Sequence, residues 1–246
     1  MIVFLTSSPS GPLDGSRKVD GLDSKNKFIE KLQTYWKENS KVLMISAFCD
    51  NIKANDEMTS FFSWAFHHCG LSCTFDLWDS RVKEYDLKCY DVIVLGGGHV
   101  PTENKYFQKI HLKEKLKEYD GIVIGISAGT MNCANIVYAQ PEEIGEAINP
   151  NYKRFIPGLN LTDTNVLPHY QMVKDYWLDG KRLFEDITYK DSWNHQFIAL
   201  VDGSYILIEN NKEWIYGESY CIQDGNIHQI CLENEVVLYK ENGVCV

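Results

Sequence analysis

Gly125-Ile126-Ser127-Ala128-Gly129 is a G-x-S-x-G sequence whose serine could act as a nucleophile. It falls where a β-branched apolar run, Gly121 to Ile126, gives way to the small residues Ala128 to Ala134. A sharp strand-to-helix turn there would hold the hydroxyl exposed in a strained conformation, with backbone N–H groups placed to stabilise an oxyanion. A serine used in this way needs a base to take its proton and a carboxylate to orient that base. Gly96-Gly97-Gly98 could supply another N–H group, from Gly98, to pair with that of Ala128. Without side chains its backbone can approach a substrate closely. The same triglycine could also be a plain turn or a phosphate-binding loop.

The base must come from seven histidines. His67 and His68 lie in a core-patterned helix, His111 in a charged one and His228 in a late turn-rich segment, which suits structural or solvated roles. His99 follows the triglycine, His195 follows Trp193-Asn194, and His169 closes the short apolar segment Val166-Leu167-Pro168. His169 is favoured, because an imidazole after such a run projects from a strand end. His99 and His195 stay open as alternatives. Asp202, in Leu200-Val201-Asp202-Gly203-Ser204, could be the carboxylate, although Asp-Gly is also a strong hairpin-turn signal.

The elements that must position these residues alternate between strand and helix patterns. Ile2 to Leu5, Lys41 to Phe48, Cys73 to Trp78, Tyr90 to Leu95 and Gly121 to Ile126 read as strands. Helical spacing recurs at Phe28, Leu32, Tyr35 and Trp36, over 56–69, and from Lys105 to Tyr119. Such alternation predicts a mostly parallel sheet flanked by helices, with ligands bound beyond the carboxyl ends of the strands. The triglycine and Ser127 both fall at such ends. Beyond about residue 195, short strands and turn signals at Asp202-Gly203, Asn210-Asn211 and Asp224-Gly225 predict an antiparallel extension over 196–246. No linker or repeat divides the 246 residues, so one α/β domain over 1–246 is expected.

Composition narrows the functional classes. A net charge of −10 argues against a partner that presents a phosphate backbone. No apolar run is long enough to span a bilayer, and the start lacks the pattern of a leader peptide, so the expected location is the cytoplasm. Of eight cysteines only Cys69 and Cys73 are close-spaced, and no Cys/His set completes a zinc site; reduced, buried thiols are expected. The glycine-rich strand ends could suggest nucleotide binding, but they lack a phosphate-loop lysine or a G-x-G-x-x-G sequence.

Taken together, Leu95-Gly96-Gly97-Gly98, Gly125-Ile126-Ser127-Ala128-Gly129-Thr130, Pro168-His169 and Leu200-Val201-Asp202-Gly203-Ser204 resemble the peptidase E (aspartyl dipeptidase) and cyanophycinase group of serine peptidases. The resemblance spans Ile2 to about Tyr216 and implies a fold related to class I glutamine amidotransferases. It implies Ser127 as nucleophile, His169 as base and Asp202 as acid, with the Gly98 and Ala128 N–H groups as an oxyanion hole. Amidotransferases carry a cysteine at the elbow, and Cys133 lies inside the presumed helix instead.

Three positions depart from the family pattern. His99 stands where a small amide is common, and Asp202 where glutamate is frequent. Lys174, rather than an arginine, follows the base histidine. His99 and Lys174 are therefore the expected substrate-binding residues; Arg154, Lys181 and Arg182 are alternatives to Lys174. The reaction implied is hydrolysis of a small peptide or amide through an acyl-enzyme, with no metal and no organic cofactor. No nucleic-acid or membrane partner is expected, and a homodimer is left open. A non-catalytic ligand-binding or regulatory protein on the same scaffold is the rival reading.

Overall fold

The computed structural model describes residues 1–46 and 51–246. Its centre is a nine-stranded sheet whose parallel half contains β1 (Ile2–Thr6), β2 (Ser40–Ile45), β3 (Cys73–Trp78), β4 (Val92–Leu95) and β5 (Ile122–Ile126). Their spatial order is β1-β5-β4-β2-β3. β4 and β5 are buried along their whole length, as continuous β-branched runs are when both sheet faces are covered.

Residue alternation along the strands divides the core. Val42, Met44, Val94 and Ile124 pack with Phe62, Ala65 and Phe66 of α2 (Ile52–His68) and with Phe28 and Leu32 of α1 (Phe28–Tyr35). Leu43, Ile45, Ile93 and Val123 pack on the opposite face with Tyr106 and Phe107 of α3 (Val100–Lys109) and Leu112 and Leu116 of α4 (Leu112–Leu116). Period-two strands thus meet period-3.6 helices on both sides.

Several boundaries differ from the sequence reading. Asn51 caps α2 by accepting the Ala54 N–H at 3.1 Å, so this helix begins before residue 56; Gly70, with φ 77°, follows its end. The helix expected from Lys105 to Tyr119 is two helices, broken at His111, whose backbone is left-handed at φ 54°. Trp36 is extended rather than helical. The strand expected from Lys41 to Phe48 is described as far as Ile45, and residues 47–50, including Cys49, lie outside the described residues. Cys73, Cys133, Cys221 and Cys231 are buried as expected, whereas Cys89 and Cys245 are exposed.

After β5 come α5 (Ala128–Asn132) and a small antiparallel pair, β6 (Ile136–Tyr138) and β7 (Phe155–Pro157). Next are β8 (Asn165–Leu167), α6 (Tyr170–Val173), and the hairpin of β9 (Trp177–Leu178) and β10 (Lys181–Arg182). The later strands serve two sheets rather than one extension. β11 (Gln196–Leu200), β14 (Ser219–Gln223) and β15 (Asn226–Cys231) join β8 in a separate four-stranded sheet. β12 (Tyr205–Glu209), β13 (Lys212–Tyr216), β16 (Val236–Glu241) and β17 (Val244–Cys245) continue the large sheet antiparallel from β1. The chain crosses between sheets at the turn 201–204, closed by the Ser204 N–H on the Val201 carbonyl at 2.9 Å. Asp202-Gly203 is therefore a turn, as the dipeptide suggested, but it joins strands of two sheets instead of making a hairpin.

A third cluster locks the smaller sheet to α5: Ala128 and Met131 pack with Leu167, Phe184, Phe197 and Ala199. On its other side α5 lies against the end of β4. A methyl added at Gly129 would come within 2.3 Å of the Leu95 carbonyl oxygen and 2.6 Å of that of Gly96. Backbone is the obstacle, so no side chain can move aside. Gly129→Ala is expected to lower the unfolding free energy by about 1–3 kcal/mol, measured by urea denaturation; an unchanged midpoint would mean that α5 can retreat without cost.

Candidate active site

Four strand ends converge on the site, those of β1, β5, β8 and β11. β1 and β5 pair in parallel with Thr6 opposite Ile126, so the next residues, Ser7 and Ser127, leave the sheet side by side. Ser127 has φ 51° and ψ −114°, outside the left-handed well that a non-glycine residue tolerates. Such a conformation costs on the order of 1–3 kcal/mol and persists where neighbours over-determine it. Here the Ser127 N–H faces the Thr6 and Ser7 carbonyls, both at 3.2 Å, and its carbonyl accepts the Met131 N–H at 3.1 Å. These three backbone contacts fix the turn without engaging the side chain.

β8 and β11 pair in parallel with Leu167 opposite Ala199, which carries His169 and Asp202 to the same edge. His169 is also left-handed, at φ 57°. Its Nε2 lies 2.8 Å from Ser127 Oγ and its Nδ1 lies 2.7 Å from Asp202 Oδ1. Ser127, His169 and Asp202, separated widely in the chain, therefore form one hydrogen-bonded line. With Nδ1–H donating to the carboxylate, Nε2 is the acceptor for the serine hydroxyl.

The Asp202 side chain is fully buried. Oδ1 accepts from Ser7 Oγ at 2.6 Å as well as from His169; Oδ2 accepts from Gln171 Nε2 at 2.6 Å and from the Leu13 N–H at 3.2 Å. Burial alone would raise the carboxyl pKa, but the His169, Ser7 and Leu13 hydrogen bonds outweigh it and hold the group below the ordinary aspartate value. The lowered pKa favours the carboxylate form of Asp202, and its hydrogen-bonding capacity is filled. Gln171 also accepts the Asp202 N–H at 3.1 Å. Ser7 and Gln171 were not singled out by the sequence: one reads as part of a Ser/Pro/Gly loop, the other as a neighbour of Lys174.

The other two histidines held open by the sequence have partners elsewhere. His99 bonds Thr102 Oγ1 at 2.8 Å through Nδ1 and Glu146 Oε1 at 2.9 Å through Nε2. His195 stacks on Phe155 with ring centroids 4.2 Å apart. Cys133 is buried, donates to the Gly129 carbonyl, and has its thiol pKa pushed up by burial, so it is no nucleophile. Gly97 lies directly against Ser127, since a methyl on it would come within 3.1 Å of Ser127 Cβ. The triglycine and the serine are thus neighbours, as their strand-end positions suggested. Ala128, as the first residue of α5, has no intrahelical acceptor for its N–H, and the Gly98 N–H makes no hydrogen bond among the described residues.

Of the cations considered for substrate binding, Arg154 bonds Asp191 at 2.6 Å, Arg182 pairs with Asp186, and Lys181 donates to the Ala147 carbonyl. Lys174 is exposed and makes no ion pair among the described residues. His99, Glu143 and Glu146 each offer a metal-ligating atom within 4.8 Å of the others. Glu146 is already engaged by His99 and by the Glu142 and Glu143 N–H groups. No helix among the described residues is long and apolar enough to cross a membrane.

The model of peptidase family S51 matches residues 19–215 of the chain. No curated protein sequence matches it. Among solved structures, a peptidase from an acI-B1 Actinobacterium superposes with a TM-score of 0.67 at 14% identity, covering 97% of this chain and 96% of that one. A peptidase E candidate from Listeria monocytogenes EGD-e superposes with a TM-score of 0.58 at 16% identity, covering 93% and 98%. At such identities these likenesses speak for the fold, a large α/β sheet flanked by helices with added antiparallel strands.

The lowered Asp202 pKa carries a pH signature. A carboxyl depressed on folding contributes stability that is complete above its unfolded value, about 3.9, and is lost as pH falls through the folded value. The stability advantage of wild type over Asp202→Asn, measured by urea unfolding, is expected to be full at pH 6 and to shrink below about pH 4. A constant difference across that range would show that the charge contributes nothing.

Proposed function

We propose, for a chain that belongs to peptidase family S51, that Ser127, His169 and Asp202 are a catalytic triad hydrolysing short peptides. The observation that carries this reading is the position of His169, within hydrogen-bond reach of both Ser127 Oγ and the ionised Asp202. Family membership supports a serine-type peptidase; the assignment of residues rests on the geometry.

The positive φ of Ser127 makes a nucleophile elbow, with the hydroxyl presented above the strand ends. His169 Nε2 takes the serine proton as Oγ attacks the scissile carbonyl. Asp202 holds the imidazole in the Nδ1–H tautomer and stabilises the imidazolium that forms. The oxyanion is received by the Ala128 and Gly98 N–H groups, because the Ser127 N–H is committed to β1. His169 then protonates the departing amine, and water attacks the acyl-enzyme with His169 again as base. The products are the carboxylic acid and the amine, with the serine regenerated.

A dipeptide is the substrate size we favour, with Lys174 as a point charge for a substrate carboxylate. A lysine there lacks the bidentate fork of arginine, so selectivity for acidic side chains is expected to be loose. His99, held by Glu146 and Thr102, shapes the edge of the site rather than the proton transfers.

The test is a dipeptide library read beside a fluorophosphonate probe. Wild type is expected to label and to hydrolyse some dipeptides. Ser127→Ala should not label, and its kcat should fall by at least about 10³-fold. Equal labelling of both proteins would remove Ser127 as nucleophile. Absence of labelling and hydrolysis in folded wild type would favour a ligand-binding role. Lys174→Ala is expected to raise KM for dipeptides with an acidic first residue and to leave neutral ones unchanged.

A further inference from the structure

Ser7 touches every member of the Ser127–His169–Asp202 line. Its hydroxyl donates to Asp202 Oδ1 at 2.6 Å and accepts the His169 backbone N–H at 2.8 Å. Its carbonyl accepts the Ser127 N–H at 3.2 Å. The Ser7 N–H itself goes to the Ser204 carbonyl at 3.3 Å, and the Gly203 N–H to the Ser8 carbonyl at 3.2 Å, which fastens the end of β1 to the turn bearing the acid. Ser7 is wholly buried, so no solvent molecule can replace its hydroxyl without rearrangement.

We propose that Ser7 is a positioning residue for the triad, and this rests on the triad reading above. One hydroxyl performs two tasks on two segments. As an acceptor it fixes the left-handed backbone of His169, from which the imidazole is aimed; as a donor it fixes the carboxylate oxygen that orients the same imidazole. Among the described residues the Gln171 side chain bonds only Asp202, so the coupling of base backbone to acid belongs to Ser7. Removing the hydroxyl leaves a buried N–H without a partner and frees Oδ1 to turn away from Nδ1. The bound substrate is unaffected because Ser7 has no exposed atom to meet it, so the loss falls on the chemical step.

The experiment compares Ser7→Ala and Ser7→Thr with wild type in dipeptide hydrolysis and in amide hydrogen exchange at His169. Ser7→Ala is expected to lower kcat by about 10–100-fold, the scale of a misplaced catalytic group, with KM within about twofold of wild type. His169 amide exchange should become at least tenfold faster. Ser7→Thr, which keeps the hydroxyl, should recover most of the rate and the protection. Should Ser7→Ala not fold, Ser7→Cys, similar in volume and weaker as a hydrogen-bond partner, is expected to show the same pattern to a smaller degree. Wild-type kcat in folded Ser7→Ala, or an equal loss in Ser7→Thr, overturns the proposal. Hydrogen exchange needs no turnover, so unchanged His169 protection overturns it whether or not the enzyme hydrolyses peptides. Failure of wild type to label with the fluorophosphonate would instead count against the triad reading itself.

Discussion

The in-register parallel pairing of β1 with β5 is the constraint on which the rest of the site depends. Because Thr6 and Ile126 are opposite each other, Ser7 and Ser127 emerge together and the Ser127 N–H finds its acceptors on β1. The Thr6 side chain secures the same edge by donating to the Gly125 carbonyl at 2.6 Å, and Thr130 of α5 donates back to the Thr6 carbonyl at 2.8 Å. A slip by one residue would exchange the two faces of β1 and remove all of these bonds at once. Strain at Ser127 is thus held by hydrogen bonds at the ends of two buried central strands, and core strands are the last parts of such a sheet to open.

A second constraint comes from the smaller sheet. His169 and Asp202 follow two strands that pair with each other, so the imidazole and the carboxylate are held on one framework facing Ser127. That framework is joined to the Ser127 side by the packing of Ala128 and Met131 against Leu167 and Phe197, and by the bonds at the end of β1. Apolar contact sets the distance between the halves, while directional bonds set the angles. Neither suffices alone, because close-packed side chains resist compression but tolerate rotation of an imidazole.

The alternation of apolar runs made the parallel half of the large sheet legible, since buried strands and amphipathic helices differ in period. Ser127, His169 and Asp202 were legible for a related reason: each follows an apolar run, and strand ends are where such sheets expose side chains. Other features left no comparable signal. The break at His111 falls in a charged stretch whose spacing continues through it, and Glu103, in the first turn of α3, is fully buried despite its charge-bearing type, with burial pushing its carboxyl well above the ordinary value. Which late strands join which sheet depends on long-range pairing, which spacing does not encode. Ser7 and Gln171 were hidden because hydroxyl and amide residues in loops are common, and their partners lie 195 and 31 positions away.

Asp202 illustrates how one dipeptide serves two demands. A shorter acid keeps its carboxylate close to its own backbone, so the turn that follows must present it correctly. Gly203, at φ 89°, supplies the conformation, and Asp23 lies close enough that a methyl on Gly203 would meet its carboxylate at 2.8 Å. The neighbouring Asp23 charge is paired with Arg17 and so does not oppose ionisation of Asp202 by itself. Donors then arrive from four places, the end of β1, the loop at Leu13, His169 and Gln171, each reaching a carboxylate that cannot swing far. A longer side chain would gain reach toward the imidazole and lose this restraint, because an added methylene brings another rotatable bond into a fully buried position. The turn signal and the carboxylate are therefore one feature: the tightness that makes Asp-Gly a turn is what lets an aspartate reach and hold the His169 imidazole.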